Sequence, residues 1–177
     1  MNKVLVAIVF SVVLGVAAAA PKKPAPQPVV LAGTVTRVVD GDTLWLKTEA
    51  DGAPRVVRIE GIDAPESCQV GGAEATAALT EMALGRSVTV RVAATDDHGR
   101  AVGHVFDGDK SLGDRMVRDG HAWSARYRSE RGPYMAQERM ALALKRGLHA
   151  SPGAIQPREF RQTHGPCEGA KPKPPGS

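Results

Sequence analysis

Aromatic side chains are scarce in this 177-residue chain, only 4%, with three Phe, two Tyr and two Trp. Any core must therefore be aliphatic, built on Val, Leu, Ile, Ala and Met. Cysteine is scarcer still, and two residues exclude both a dense disulfide scaffold and a four-cysteine zinc site. The five histidines form no HxxxH or HxH pair, which leaves little for a histidine-bound metal. Internal repeats are absent. Neither charge dominates: 23 Lys and Arg face 19 Asp and Glu, a formal net charge of +4. Such a balance favours a polyanionic partner only mildly, and more so at low salt.

The one long apolar run is N-terminal. Lys3 supplies a positive start, residues 4–16 are apolar apart from Ser11 and Gly15, and small residues follow at Ala17, Ala18, Ala19 and Ala20. The pattern is that of a secretory signal peptide over residues 1–19, and the run is short for a membrane span of about 20 residues. It places the mature protein in the periplasm or outside the cell, with no stable membrane association after cleavage. Residues 20–32 read as a proline-rich linker and 168–177 as a flexible tail of the same composition. A single folded domain is expected over 33–167. Nothing argues for an obligate oligomer, and a monomer is expected.

Within that domain, apolar residues alternate over 33–39, 43–48, 55–62, 88–92 and 101–106, which predicts five short strands. Asp-Gly pairs at 40–41 and 51–52 mark tight turns. Helical spacing of Ala75, Leu79, Met82 and Ala83 predicts a helix over 73–84. Two more are predicted over 112–119, closed by Gly120, and 133–146, with Pro133 near its start and Gly147 at its end. Five strands interrupted by a helix suggest a closed barrel of the oligonucleotide-binding (OB-fold) type, since closure removes sheet edges. The fold class expected is mainly β with helices (α+β), a five-stranded barrel with three α-helices.

Three polar segments stand at strand ends: Asp40-Gly41-Asp42-Thr43, the run from Arg58 through Asp63-Ala64-Pro65-Glu66, and Gly99-Arg100. Asp42, Asp63 and the Ala64 carbonyl are oxygen donors suited to a hard cation such as Ca²⁺ or Mg²⁺. Arg58 and Arg100 could contact one phosphate bidentately, and Glu66 could deprotonate a water. Together these are the parts for phosphodiester hydrolysis. Each piece also has an ordinary reading: DGDT as a hairpin turn, Arg58 as a cross-strand partner, Ala-Pro-Glu as a helix entry and Arg100 as loop charge. Their order and spacing are what set them apart.

In that order and spacing the segments resemble the staphylococcal nuclease family: DGDT at 40–43, R-(x)₄-D-x-P-E from Arg58 to Glu66, and the GR loop at Gly99-Arg100. The resemblance covers roughly residues 33–148. It implies the barrel with three helices and Ca²⁺-dependent hydrolysis of DNA and RNA to 5′-hydroxyl and 3′-phosphate ends. By the same resemblance Asp42 and Asp63 are metal carboxylates, Ala64 lends its carbonyl, Arg58 and Arg100 grip the phosphate, and Glu66 is the general base. Asp40 and Thr43 would orient that set from behind. The Lys-Tyr pair that precedes the GR loop in the best-known member is Asp97-His98 here.

Base stacking could fall to Trp123, Tyr127 or Tyr134, although the same aromatics could pack barrel against helices. Arg126, Arg128 and Arg131 interleave with aromatics in a pattern that suits single-stranded nucleic acid, which would be the preferred form of substrate. Two rival functions stay open at this level. One is a non-catalytic nucleic-acid-binding module on the same barrel, and the other a small-nucleotide phosphodiesterase. Finally, in an exported chain the two cysteines, neither in a metal-ligand spacing, should form a Cys68–Cys167 disulfide.

Overall fold

The computed structural model describes residues 29–126, 132–150, 152–165 and 167. Strands β1 (Val29–Val38), β2 (Thr43–Thr48) and β3 (Pro54–Ile59) form a meander, followed by the two-residue strand β4 (Ile62–Asp63) and helix α1 (Gly72–Ala83). Strands β5 (Ser87–Thr95), β6 (Ala101–Asp107) and β7 (Lys110–Ser111) come next. Then follow α2 (Leu112–Arg118), β8 (Trp123–Ser124), α3 (Met135–Ala143), a single 3₁₀ turn (Gly147–His149) and α4 (Pro157–His164).

The main sheet runs β3-β2-β1-β5-β6 with antiparallel neighbours, and β6 returns to pair with β3 in parallel, Val57 opposite Ala101 and Arg58 opposite Val102. That last pairing closes the expected five-stranded barrel. Its filling follows the period-2 pattern: Val35, Leu44, Leu46, Val57, Val90 and Val105 are fully buried. Ala75 and Leu79 of α1 and Leu112, Met116 and Val117 of α2 cap it. Each large aliphatic removed from water here contributes about 1.5–3 kcal/mol, so the scarcity of aromatics is no handicap.

Four features depart from the sequence expectation. First, β1 begins at Val29, inside the stretch assigned to linker, because Val29, Val30, Leu31 and Ala32 continue the ladder against Val92 to Thr89 of β5. Second, the third predicted strand is two: Gly61 takes φ 82°, a left-handed conformation that suits glycine, and the chain turns there before β4. A Cβ at Gly61 would stand 2.5 Å from Pro133 Cγ. Third, α3 is shorter than 133–146, starting at Met135 and stopping at Ala143 just ahead of Lys145 at φ 51°. Fourth, a further helix, α4, follows these three. It starts with Pro157 at its first turn, and Pro157 is its one buried residue, so no apolar stripe announced it.

The expected signal peptide, residues 20–28 of the linker, the 168–177 tail, and Tyr127, Arg128 and Arg131 lie outside the described residues. Among the described residues no helix is long and apolar enough to cross a membrane.

Candidate active site

The site begins at the turn leaving β1. Asp40 Oδ1 accepts the Asp42 N–H at 3.0 Å, and the Val39 N–H reaches the Thr43 carbonyl at 2.9 Å. Such a side-chain-to-backbone bond is how aspartate initiates a tight turn. The turn packs so close to α1 that a Cβ on Gly41 would stand 2.7 Å from both Ala64 Cβ and Ala75 Cβ. Asp42 is thereby pressed inward, to 3% exposure.

Three groups converge on the Asp42 carboxylate. Thr43 Oγ1 donates to Oδ1 at 2.9 Å, and Arg58 Nη1 donates to the same oxygen. The Ala64 N–H donates to Oδ2 at 3.1 Å. Arg58 sits opposite Thr43 in the β2–β3 register, which is why its guanidinium reaches this place. Its other nitrogen, Nη2, donates to Asp63 Oδ1 at 3.3 Å. One guanidinium thus spans two carboxylates, one from the β1–β2 turn and one from β4. Glu66 lies on the loop after β4, its N–H bonded to Gln69 Oε1 at 3.2 Å.

The electrostatics follow from packing acids together. Burial, and then the charge of Asp42, push the Asp40 carboxyl up to about 7. Burial raises Asp63 as well; the Arg161 and Arg58 charges oppose this and Asp42 adds to it. Burial works to lower the Arg58 guanidinium, but the Asp42 and Asp63 charges outweigh it and hold it above its ordinary value. The cluster is short of positive charge for the acids it contains.

That shortage fits a hard cation. Among the described residues no three acidic, His or Cys side chains gather as a closed metal cage. An ion here would therefore take Asp42, Asp63 and the Ala64 carbonyl, with water or phosphate oxygens completing its shell. All these donors are oxygen, the choice of Ca²⁺ or Mg²⁺ rather than a transition metal.

The structure thus brings together Asp40, Asp42, Thr43, Arg58, Asp63, Ala64 and Glu66. Arg100 immediately precedes β6, the strand beside β3, and donates Nε to Asp96 Oδ2 at 2.7 Å. The residues proposed to stack on bases fare differently. Trp123 is 6% exposed and pairs with Asp63 in the β4–β8 ladder, its ring edge-on to His149, so it packs rather than offering a face. Tyr134 is half-buried against the core, its hydroxyl 3.3 Å from Ser111 Oγ. Arg126 is bonded to both Glu138 oxygens at 3.1 Å. The Cys68–Cys167 disulfide is present.

Two site residues had no signal in the sequence. Gln69 is buried, holding Glu66 through Oε1 and donating Nε2 to the Ile155 carbonyl at 2.7 Å. Arg161, on α4, donates Nη1 to Glu66 Oε1 and stands 3.6 Å from Asp63 Oδ1. Arg161 arrives through long-range packing, whereas Gln69 reaches Glu66 from three residues along the same loop and is itself held by distant Ile155.

Comparison with known proteins matches residues 56–151, more than half of the 177, to the family described as staphylococcal nuclease homologue. The chain belongs to the staphylococcal nuclease family. Its relatives in that family include Protein ParB of Escherichia coli, 34% identical over 143 residues, covering 75% of this chain and 80% of that one. Micrococcal nuclease of Shigella flexneri is 32% identical over 143 residues, with 73% and 80% covered. The probable staphylococcal-like nuclease CAN2 of Oryza sativa subsp. japonica is 35% identical over 106 residues, 60% of this chain. The chain spans only 29% of that rice relative's length. Of the site, Arg58, Asp63, Ala64, Glu66 and Arg100 fall inside the family's matched span; Asp42 precedes it and Arg161 follows it.

Proposed function

We propose that this protein is an exported, Ca²⁺-dependent, sugar-nonspecific nuclease that cleaves DNA and RNA to 5′-hydroxyl and 3′-phosphate ends, with single strands preferred. The observation that carries this reading is the Arg58 guanidinium bonded to both Asp42 and Asp63, with Glu66 on the adjoining loop.

In this reading Asp42, Asp63 and the Ala64 carbonyl would hold the cation, which when bound would supply Lewis-acid stabilisation of the phosphate's negative charge. Asp40 and Thr43 orient Asp42 from behind. Glu66 accepts a proton from the water, whose oxygen bonds to phosphorus. The P–O5′ bond breaks, its electron pair leaves with the 5′ oxygen, and that oxygen takes a proton to become the 5′-hydroxyl. The phosphate stays on the 3′ side. Arg58 and Arg100 stabilise the charge that builds on the phosphorus oxygens; for Arg100 this requires exchanging the Asp96 bond for the phosphate. Arg126, with the neighbouring arginines of the 126–131 stretch, would track the backbone of a single strand.

The family relatives named nucleases support the hydrolytic part of this reading. The all-oxygen donor set supports the choice of cation, and the N-terminal sequence supports export. The test is a gel assay of the mature protein on single-stranded DNA and on RNA, with Ca²⁺ and with excess chelator, followed by end-group analysis. Cleavage with Ca²⁺, none with chelator, and 3′-phosphate products are expected. Undiminished cleavage in chelator would overturn the cation mechanism, and 5′-phosphate products the bond assignment.

A further inference from the structure

Helix α4 stands outside the barrel. None of its residues belongs to the core, and only Pro157 is buried. A cavity of about 610 Å³ lies beside it, lined by Gln69, Gly71, Leu148, Ile155, Phe160 and His164 among others. An eight-residue helix is too short to persist on its own in water. Its place therefore leans on discrete tethers, and three of those among the described residues reach the loop after β4. Ahead of the helix, the Ile155 carbonyl accepts from Gln69 Nε2 at 2.7 Å. Within it, Arg161 grips Glu66. After it, Cys167 is bridged to Cys68 with the two Cα atoms 5.7 Å apart.

All three tethers land on one short stretch, residues 66–69. Glu66 is held twice over: its backbone N–H by Gln69, which itself carries Ile155, and its carboxylate by Arg161. A carboxylate on a loop otherwise samples several rotamers, and a general base misplaced by an ångström loses much of its effect. A charge-assisted bond to Oε1 removes that freedom and leaves Oε2 for the water.

We propose that Arg161 is a positioning residue of the hydrolytic site, held by the Cys68–Cys167 strap so that it fixes the Glu66 carboxylate where it receives the water's proton. The proposal rests on the hydrolytic reading above and adds to it a residue beyond the family's matched span. It also assigns the disulfide a task besides stability: keeping α4 over the loop that carries Glu66.

The experiment uses the mature full-length chain and its Arg161→Ala, Arg161→Lys and Glu66→Gln variants. Steady-state cleavage of a single-stranded DNA oligonucleotide with Ca²⁺ is read alongside hydrogen–deuterium exchange of the 63–69 amides without Ca²⁺. Arg161→Ala should lower kcat about 10–100-fold, by analogy with the outer-shell partners that orient metal ligands, with KM within about twofold. Arg161→Lys should recover part of the loss. On a Glu66→Gln background the Arg161→Ala change should add little, since the two act as one unit. Exchange over 63–69 should quicken in Arg161→Ala. Reduction of the disulfide in the wild type, with circular dichroism showing an intact fold, should reproduce the kcat loss. If reduction unfolds the chain, the Arg161 series alone decides.

An unchanged rate in Arg161→Ala, or a fully additive loss with Glu66→Gln, would overturn the proposal. So would a faster rate with tighter Ca²⁺ binding, which would make Arg161 a competitor of the cation. Failure of the hydrolytic reading is distinct: the wild type would then cleave nothing, or Arg58→Ala would cleave at the wild-type rate. The exchange measurement decides in that case, and an unmoved 63–69 segment in Arg161→Ala overturns the positioning role outright.

Discussion

The Ala64 N–H donates to Asp42 Oδ2 at 3.1 Å, joining residues 22 apart in the chain. The bond sets the distance between the turn after β1 and the loop after β4, so both halves of the proposed cation site are fixed by one carboxylate. Asp42→Asn keeps the shape, removes the charge and puts an N–H₂ where an acceptor is needed. It should weaken Ca²⁺ binding by more than the roughly 10–100-fold seen for residues behind a metal site. Isothermal titration calorimetry checks the affinity, and the gel assay should show cleavage lost in parallel.

Arg58 and Glu66 separate charge stabilisation from proton transfer. Arg58→Ala should slow cleavage by on the order of 10²–10³, comparable to removing one preorganised donor. Glu66→Gln should also slow turnover strongly, since the base is gone. Both side chains are partly exposed and lie outside the core cluster, so circular dichroism should be unchanged. Wild-type rates in both variants would mean that the site is misassigned.

Gly41 is tested by adding one carbon. Its Cβ would meet Ala64 and Ala75 at 2.7 Å, so Gly41→Ala must push the DGD turn off α1. Overpacking of this kind costs about 1–3 kcal/mol. Thermal denaturation should show a Tm lower by several degrees, and activity should fall further than the Tm because Asp42 moves with the turn.

Asp51 supplies a pH signature far from the site. Bonds from Thr48 Oγ1, the Ala53 N–H and Arg55 lower its carboxyl from 3.8 to about 2. The folded state therefore binds the proton less tightly than the unfolded state. The resulting stabilisation is complete above about pH 4 and is lost as pH falls toward 2. Asp51→Asn copies the protonated acid, so its Tm should lie below the wild type at pH 6 and meet it near pH 2. Parallel curves across that range would refute the assignment.

The disulfide joins residues 99 apart. Constraining a loop of that size in the unfolded chain is worth up to about 4–5 kcal/mol in the entropic account. Intact mass and thiol titration should find no free thiol in the native protein. Cys68→Ser with Cys167→Ser should unfold at clearly lower denaturant concentration.

Much of this was legible in the sequence because it is written locally. The strands show as alternation, the DGDT turn as a turn, and the spacing from Arg58 to Glu66 survives folding as a real cluster. What could not be read depends on distant partners. Gly61 splits β3 from β4 because Pro133 packs over it, and nothing near Gly61 says so. Whether Trp123 stacks on bases or packs could not be told until β8 carried it against β4. The α4 sequence, PREFRQTH, has no apolar stripe, and its helix is held by tethers whose other ends lie some ninety residues earlier. Arg161 was invisible for the same reason, and so was the Ile155 carbonyl that anchors Gln69.

Among the described residues every member of the barrel's core cluster precedes position 150, while the segment 152–165 carries Arg161 and adds none to that cluster. With Arg161 in the positioning role proposed above, robustness and catalytic tuning fall to separate stretches of chain. Substitutions along 152–165 would then vary turnover with little erosion of the barrel, easing the usual conflict between a stable protein and an active one. A library randomised there should yield wide variation in rate at nearly constant melting temperature, making the strap the natural place to evolve new speeds or substrates.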